Sequence, residues 1–551
     1  MPILPLGAMK QNPVDAIGSS PQSVPTGRPA TCSREPAESR IALALALAMA
    51  AICVYAMRRA DPDLWGYLSY GRFFVQQGGP VASDPFSYTC ASCTWNYFEY
   101  LSHISLWLAY AVGGPLGLIA LKCVLGGIAV GFVLKTVRSI DPRPTLWLPV
   151  YLLMLGIAPR FFLFRPQLYT FAFFAFFVEV LIGHLAGRRT RLWLLVPATT
   201  MWANLHGGFL AGLGVIGLAL MLRIGQHVNG GTSILGAVRA AGVLWMTLFA
   251  AIGASLINPQ GWRLWRYLLT ELSHDTNRRY IDEWMPLSFS RDPWSAYSAL
   301  FLLIALLTTG IAAGQRRVRL LELHPWQWLA ASTPLALMTV LSVRHLPVLA
   351  VWISPVLVLL AGALPSTPKS WPRRFSTTLF GATAVPAFLT LTVVATNPAA
   401  SIGIPEGTLG GAEPFGAVEF IKENGLDGNL YLPLWWGSYA TWELYPRVRV
   451  SMDGRNVSLY PTDMVRKNLE FYVLGDADTD EPLRFASDYL MVPTGAPVLA
   501  RLGIGGRWRK IYEDPDCVLF LRFDELIGRV PPHLVQDPVV RTAARRPRFF
   551  R

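Results

Sequence analysis

About eleven apolar stretches, each near the length a bilayer demands, fall between residues 41 and 396. They run over 41–57, 115–134, 144–160, 167–186, 192–205, 208–222, 240–257, 295–313, 326–342, 346–363 and 376–396. A bilayer explains this pattern, because a spanning helix satisfies its own backbone polar groups in a solvent that cannot. Lys and Arg cluster in alternate connections: Lys135/Arg138/Arg143, Arg188/Arg189/Arg191, Arg223/Arg239, Arg316/Arg317/Arg319 and Lys369/Arg373/Arg374. The positive-inside rule makes these loops cytoplasmic. The other connections hold nearly all the unusual motifs, among them Asp61-Pro62-Asp63, Asp84-Pro85-Phe86, Phe164-Arg165-Pro166-Gln167, Asn204-Leu205-His206 and Arg344-His345, so one membrane face carries the chemistry.

The rest of the chain fits around that frame. The reading is an α-helical polytopic membrane domain over 41–396, with a first external loop at 58–114, after a disordered cytoplasmic tail at 1–40. Residues 101–112 are apolar but short and end at Gly113-Gly114-Pro115. They are expected to form an interfacial helix, since a full crossing there would break the alternation of basic loops. The pair 192–205 and 208–222 is short enough to dip in and carry His206 below the interface. With the tail inside, eleven crossings put the remainder outside. Residues 397–530 alternate helix and strand patterns, with apolar runs at 429–434, 448–452, 489–492, 508–512 and 517–522. They predict a small extracytoplasmic α/β domain, followed by a basic tail at 531–551.

Charge and cysteine content narrow the function. Of 551 residues only 15% are charged, and the net charge of +13 sits largely beside spans or in the termini. Lipid headgroups account for it there, and no nucleic-acid partner is expected. Cys90 and Cys93 form a C-x-x-C in the first external loop. One pair is too few for zinc; a short-loop disulfide or two unpaired thiols both fit.

Several residues could carry chemistry. Asp61 and Asp63 follow the first span closely, beside the interfacial aromatics Trp65 and Tyr67. Two acids one residue apart can supply a general base with an electrostatic partner, hold a divalent metal, or form solvated pairs with Arg58 and Arg59. Asp84, before Pro85, is a third acid in the loop and also reads as a turn starter. Arg165, Arg344-His345 and Arg278-Arg279 put positive charge where positive-inside predicts little. They read either as interfacial anchors or as anion ligands. His206, between Asn204 and two glycines, is a candidate phosphate donor or a merely hydrogen-bonded helix-end histidine. Asp453-Gly454 reads as turn chemistry.

These motifs resemble a family. Asp61-Pro62-Asp63-Leu64-Trp65, Gly71, Asp84-Pro85-Phe86-Ser87-Tyr88-Thr89, Trp95 and Glu99-Tyr100-Leu101 look like the first external loop of bacterial proteins similar to the GT-C glycosyltransferases. These include the mannosyltransferase-like and lipid-A aminoarabinose-transferase-like groups. Phe164-Arg165-Pro166-Gln167, Trp202-Ala203-Asn204-Leu205-His206-Gly207-Gly208, Asn258-Pro259, Gly261, Arg344-His345, Trp436-Gly437, Tyr439 and Asp453-Gly454-Arg455 extend the resemblance over about residues 41–525. It implies a polyprenyl-phosphate sugar donor and an acceptor (envelope glycan, lipid or protein) on the outer face of a bacterial inner membrane. It also implies an acidic base in the first external loop. Carried over, that base is Asp61 or Asp63, with Asp84 as a further acid. Asp63 is preferred because it lies farther from Arg58 and Arg59. Arg165, His206, Arg344, His345, Arg278 and Arg279 are the expected phosphate ligands. Pro62 stiffens the acid pair, which works against chelation of one metal by both carboxylates.

The rival reading is a non-enzymatic transporter or scaffold for polyprenyl-linked glycans. A transporter buries charge near mid-span. Here charge lies mainly at span edges on one side, with Lys122 and Glu179 as exceptions expected to snorkel or pair.

Overall fold

The computed structural model describes residues 37–56, 61, 63–81, 83–273, 284–364, 413–474, 481–502, 506–523 and 531–542. The predicted span at 376–396, residues Arg278 and Arg279, most of the N-terminal tail and the end of the C-terminal tail (543–551) lie outside them. Helix α1 (Ala37–Tyr55) leads to α2 (Leu64–Gln77), which stops at Gly78 in the left-handed region, φ 75°. Then α3 (Tyr100–Ile140) contains the break expected after residue 112: Gly114 has φ 54° and ψ −140°, and Pro115 follows. Proline cannot donate the next helical bond, and glycine alone accepts that backbone geometry cheaply.

The bundle continues through α4 (Pro144–Phe161), α5 (Gln167–Leu185), α6 (Leu195–Leu205) and α7 (Phe209–Asn229). It goes on with α8 (Ile234–Ala240), α9 (Gly242–Ser255), α10 (Trp262–Ser273), α11 (Pro293–Gln315), α12 (Pro325–Leu341) and α13 (Leu346–Gly362). Among the described residues six helices are long and apolar enough to cross a membrane, or seven if α8 and α9, bent by 57°, form one span. The chain is an integral membrane protein. The remaining predicted crossings fall on α1, on the shorter α6 and α12, or outside the described residues, so the count of eleven is not established. Helices α5 and α13 are the most enclosed, with Phe174, Phe177, Leu349 and Trp352 at 0% exposure.

The C-terminal part is a small α/β domain. Its six-stranded sheet has the order β2-β1-β3-β5-β4-β6. The strands are β1 (Gly428–Tyr431), β2 (Val448–Val450), β3 (Tyr489–Pro493), β4 (Trp508–Glu513), β5 (Cys517–Arg522) and β6 (Val539–Val540). The predicted apolar runs match the first five. Helices α14 (Phe415–Glu423) and α15 (Leu434–Leu444) cover the sheet, and α16 (Thr462–Leu469) flanks it. Helix α15 starts at Leu434, the last residue of a predicted strand run, with Pro433 in extended geometry as its N-cap.

The first loop fastens this domain to the bundle. The Tyr88 N–H donates to Val450 O at 3.2 Å and the Val450 N–H to Phe86 O at 3.3 Å, so the loop pairs with the exposed edge at β2. Trp65 of α2 packs against Tyr439 and Trp442 of α15, with ring centroids 5.8 and 5.9 Å apart. Loop and sheet domain therefore share one face of the membrane.

Candidate functional site

The Asp-Pro-Asp stretch divides into two unlike carboxylates. Asp61 is 1% exposed and accepts a short hydrogen bond from Arg165 Nη2. Its other oxygen accepts the Asp63 N–H at 2.8 Å. Asp63 stands at the head of α2 and lines a cavity of about 440 Å³. Its Oδ1 accepts from Ser438 Oγ at 3.1 Å, and Ser438 Oγ in turn accepts the Gly454 N–H at 3.2 Å. Burial first, and then the negative charge of Asp61, push the Asp63 carboxyl up to about 7.

The same cavity is lined by Glu99, His206, Arg344 and His345. His206 follows α6, and two bonds define its tautomer. Its Nδ1 accepts the Gly208 N–H at 2.9 Å and lies 2.7 Å from Thr170 Oγ1, which itself accepts from Trp202 Nε1 at 3.0 Å. With Nδ1 committed as acceptor, a neutral ring carries its proton on Nε2. That nitrogen sits 3.6 Å from Glu99 Oε1. The Asn-Leu-His-Gly-Gly motif thus has a mechanical basis, since a Cβ on Gly208 would overlap Thr170 Oγ1. Burial lowers His206 to about 3, helped by Arg344 and Arg165. Burial also raises Glu99 to about 8 against the pull of the same two arginines. Both groups are therefore neutral near pH 7. Arg344 lies over Trp284, 4.1 Å from the ring centroid.

Asp84 stands apart from the cavity. It accepts the Phe86 and Ser87 N–H groups at 2.9 and 3.0 Å and Arg455 Nη1 at 2.6 Å. Arg455 also donates to Asp453 from Nε at 2.8 Å and Nη2 at 2.8 Å. The rings of Tyr70, Phe86 and Trp95 surround its guanidinium at 4.9, 5.2 and 4.7 Å. Asp84 and Arg455 are thus a buried clasp between first loop and sheet domain, and the Asp84 oxygens are too fully engaged to take a substrate proton. The Asp453-Gly454 turn exists, but it also carries this clasp.

Other expectations resolve individually. Cys90 and Cys93 are joined by a disulfide. Among the described residues no group of three His, Cys, Asp or Glu side chains is placed to hold a metal ion. Glu179 pairs with Lys135 Nζ at 3.0 Å. Lys122 does not snorkel: it is 2% exposed and lies over Phe164, 4.7 Å from the ring centroid. Asn204 Nδ2 donates to Ile257 O at 2.8 Å, and Gln260 Nε2 to Trp95 O at 3.2 Å. The Asn-Pro-Gln-Gly motif therefore ties α9 to the first loop. Reading from sequence did not single out Glu99 or Ser438 as site residues. An acid just ahead of an apolar helix was a usable signal for Glu99; nothing local marks Ser438.

The fold and site define a polytopic membrane protein whose cavity lies where helix bundle, first loop and sheet domain meet. No family model matches the chain, and no curated protein matches it in sequence. Solved structures do match. ArnT from Cupriavidus metallidurans bound to undecaprenyl phosphate aligns over 88% of this chain and 98% of its own, with a TM-score of 0.50 and 13% identity. The archaeal oligosaccharyltransferase AglB from Archaeoglobus fulgidus, in complex with an inhibitory peptide and a dolichol-phosphate, aligns over 83% of this chain and 70% of its own, with a TM-score of 0.50 and 11% identity. The chain shares the fold of these two proteins.

Proposed function

We propose that this protein is a membrane glycosyltransferase that moves a sugar from a polyprenyl-phosphate carrier to an acceptor hydroxyl or amide on the extracytoplasmic face. One observation carries the reading: a single cavity joins a carboxyl raised to about 7 to Arg344 and His206, and then continues into apolar surface. Leu210 and Leu218 of α7, Leu335 and Met338 of α12, and Val348 of α13 line that apolar part. A prenyl chain fits such a wall, and its phosphate would meet Arg344 and His206 at the polar end.

In the reaction Asp63 takes the proton of the acceptor nucleophile. The nucleophile forms its bond to the anomeric carbon as the carbon–oxygen bond to phosphate breaks, and the phosphate leaves with the electron pair. Arg344 and the Nε2–H of His206 stabilise the charge that develops there. Arg165 stands behind the wall. It pairs with Asp61, and its charge reaches Asp63, Glu99 and His206. The basic clusters at the far ends of the helices support a cytoplasmic position for those ends and an inner-membrane location. The acceptor belongs to the cell envelope in this reading.

The test is release of undecaprenyl phosphate from undecaprenyl-phosphate-linked sugars by the purified protein in nanodiscs, with crude envelope as acceptor. Wild type should release it, and Asp63→Asn should not. Equal release by both would remove Asp63 as base. Binding of the lipid without turnover by either would favour the transporter or scaffold reading.

A further inference from the structure

His103, on the first turn of α3, is buried at 6% exposure and lines the cavity. Among the described residues neither of its ring nitrogens has a hydrogen-bond partner. Tyr70 of α2 repeats the pattern: it is 2% exposed, lines the same cavity, and its hydroxyl has no partner among those residues. Buried polar atoms are nearly always satisfied, so two adjacent orphans on one cavity wall call for an explanation.

The surroundings hold both groups in place. The His103 ring stacks on Tyr67, 5.3 Å between centroids at 9°, and meets Tyr70 edge-on at 5.6 Å. Gly71 lets the two helices close, since a Cβ there would overlap the His103 carbonyl oxygen. The Tyr70 hydroxyl lies on the Asp63 side: a Cβ on Gly66 would come within 2.8 Å of it and within 2.9 Å of Ser438 Oγ. Ser438 is the residue that donates to Asp63.

The unused atoms specify the ligand. An uncharged imidazole offers one donor and one acceptor, and a phenol offers both in one group. A phosphate would satisfy only donors, and a cation only acceptors. Neighbouring hydroxyls on a ring satisfy all three atoms, and the flanking aromatic surface suits the apolar face of such a ring. We propose that His103 and Tyr70 form a carbohydrate subsite that holds the ring of the transferred sugar beside Asp63. The lipid carrier in this assignment rests on the transferase reading; the sugar chemistry rests on the orphaned atoms.

The experiment is equilibrium binding to the full chain in nanodiscs. The probes are undecaprenyl phosphate alone, the same lipid carrying a hexose, an N-acetylhexosamine or a pentose, and the corresponding methyl glycosides. His103→Phe and Tyr70→Phe keep the rings and delete only the polar atoms, and thermal unfolding checks that both remain folded. Wild type should bind at least one sugar-bearing lipid more tightly than bare lipid. Each variant should lose about tenfold of that increment and bind bare lipid as wild type does. Variants that bind sugar-bearing lipid like wild type overturn the subsite and leave the transferase reading intact. The same holds if wild type gains nothing from any sugar. If no lipid binds at all, the transferase reading fails, and the methyl glycosides then decide: His103-dependent binding supports the subsite, and its absence overturns it.

Discussion

Gly454 of the sheet domain lies against Asp63 of the first loop so closely that a Cβ on it would overlap Asp63 Oδ1 and come within 2.8 Å of Ser438 Oγ. The domain thus builds one wall of the cavity at the proposed base. Gly454→Ala should displace the carboxyl and reduce turnover by at least about tenfold, because small misplacements of a reacting group are costly. Its binding of undecaprenyl phosphate alone should stay unchanged. A variant with wild-type turnover would show that the contact does not position Asp63.

The two acids of the first loop should fail differently. Asp63→Asn should fold normally and lose transfer. Asp61→Asn removes a charged acceptor of the half-buried Arg165 guanidinium, so about 1.5–3 kcal/mol of stability should go with it. Thermal unfolding of both variants, next to turnover, separates the roles. The assignment is wrong if Asp61→Asn unfolds like wild type and Asp63→Asn does not.

Asp63 should move the rate and its own contribution to stability in opposite directions with pH. Asp63 acts as base only when ionised, so the rate should rise toward a plateau above about pH 7. Its folded-state value lies above the ordinary 3.8, so the folded protein keeps a proton that the unfolded chain has lost. Its contribution to stability should therefore decline as pH climbs from about 4 to about 7, while His206, lowered from its ordinary 6.5 to about 3, contributes in the opposite sense over the lower part of that range. Glu99 extends the same decline from its ordinary 4.5 to about 8. Asp63→Asn should remove the lower part and Glu99→Gln the upper part of this acid contribution, as read from the difference in unfolding midpoint between each variant and wild type across that range.

Arg455 is expected to be the main tie between loop and domain. Arg455→Ala leaves Asp84 and Asp453 buried without their cation and should cost about 3–5 kcal/mol. Limited proteolysis should then release the sheet domain. Arg455→Lys should restore little, because one ammonium cannot reproduce the forked donation to both acids.

Topology offers a test free of substrate. Reporters inserted after Gly79 and after Asn397 should report the same side of the membrane, and one after Pro365 the opposite side. Agreement among all three would overturn the one-face arrangement on which the proposed function stands.

Much of the architecture follows from the chain read locally. Helix lengths, the interruption at Gly114 and the five main strands depend on apolar period and on Gly and Pro placement within a few residues. The gathering of polar motifs into alternate loops is likewise written in linear order. Only the tertiary structure separated Asp61 from Asp63, because their difference comes from Arg165 and Ser438, which lie 104 and 375 positions away from them respectively. It also placed Asp84, the further acid of the loop, in a clasp with Arg455, 371 positions along the chain. It revealed Glu99 and the unpaired atoms of His103 and Tyr70 on the same cavity. The physical reason is range. Secondary structure responds to neighbours along the backbone, whereas a carboxyl's charge state, its partners and its access to a ligand respond to whatever the fold brings alongside it.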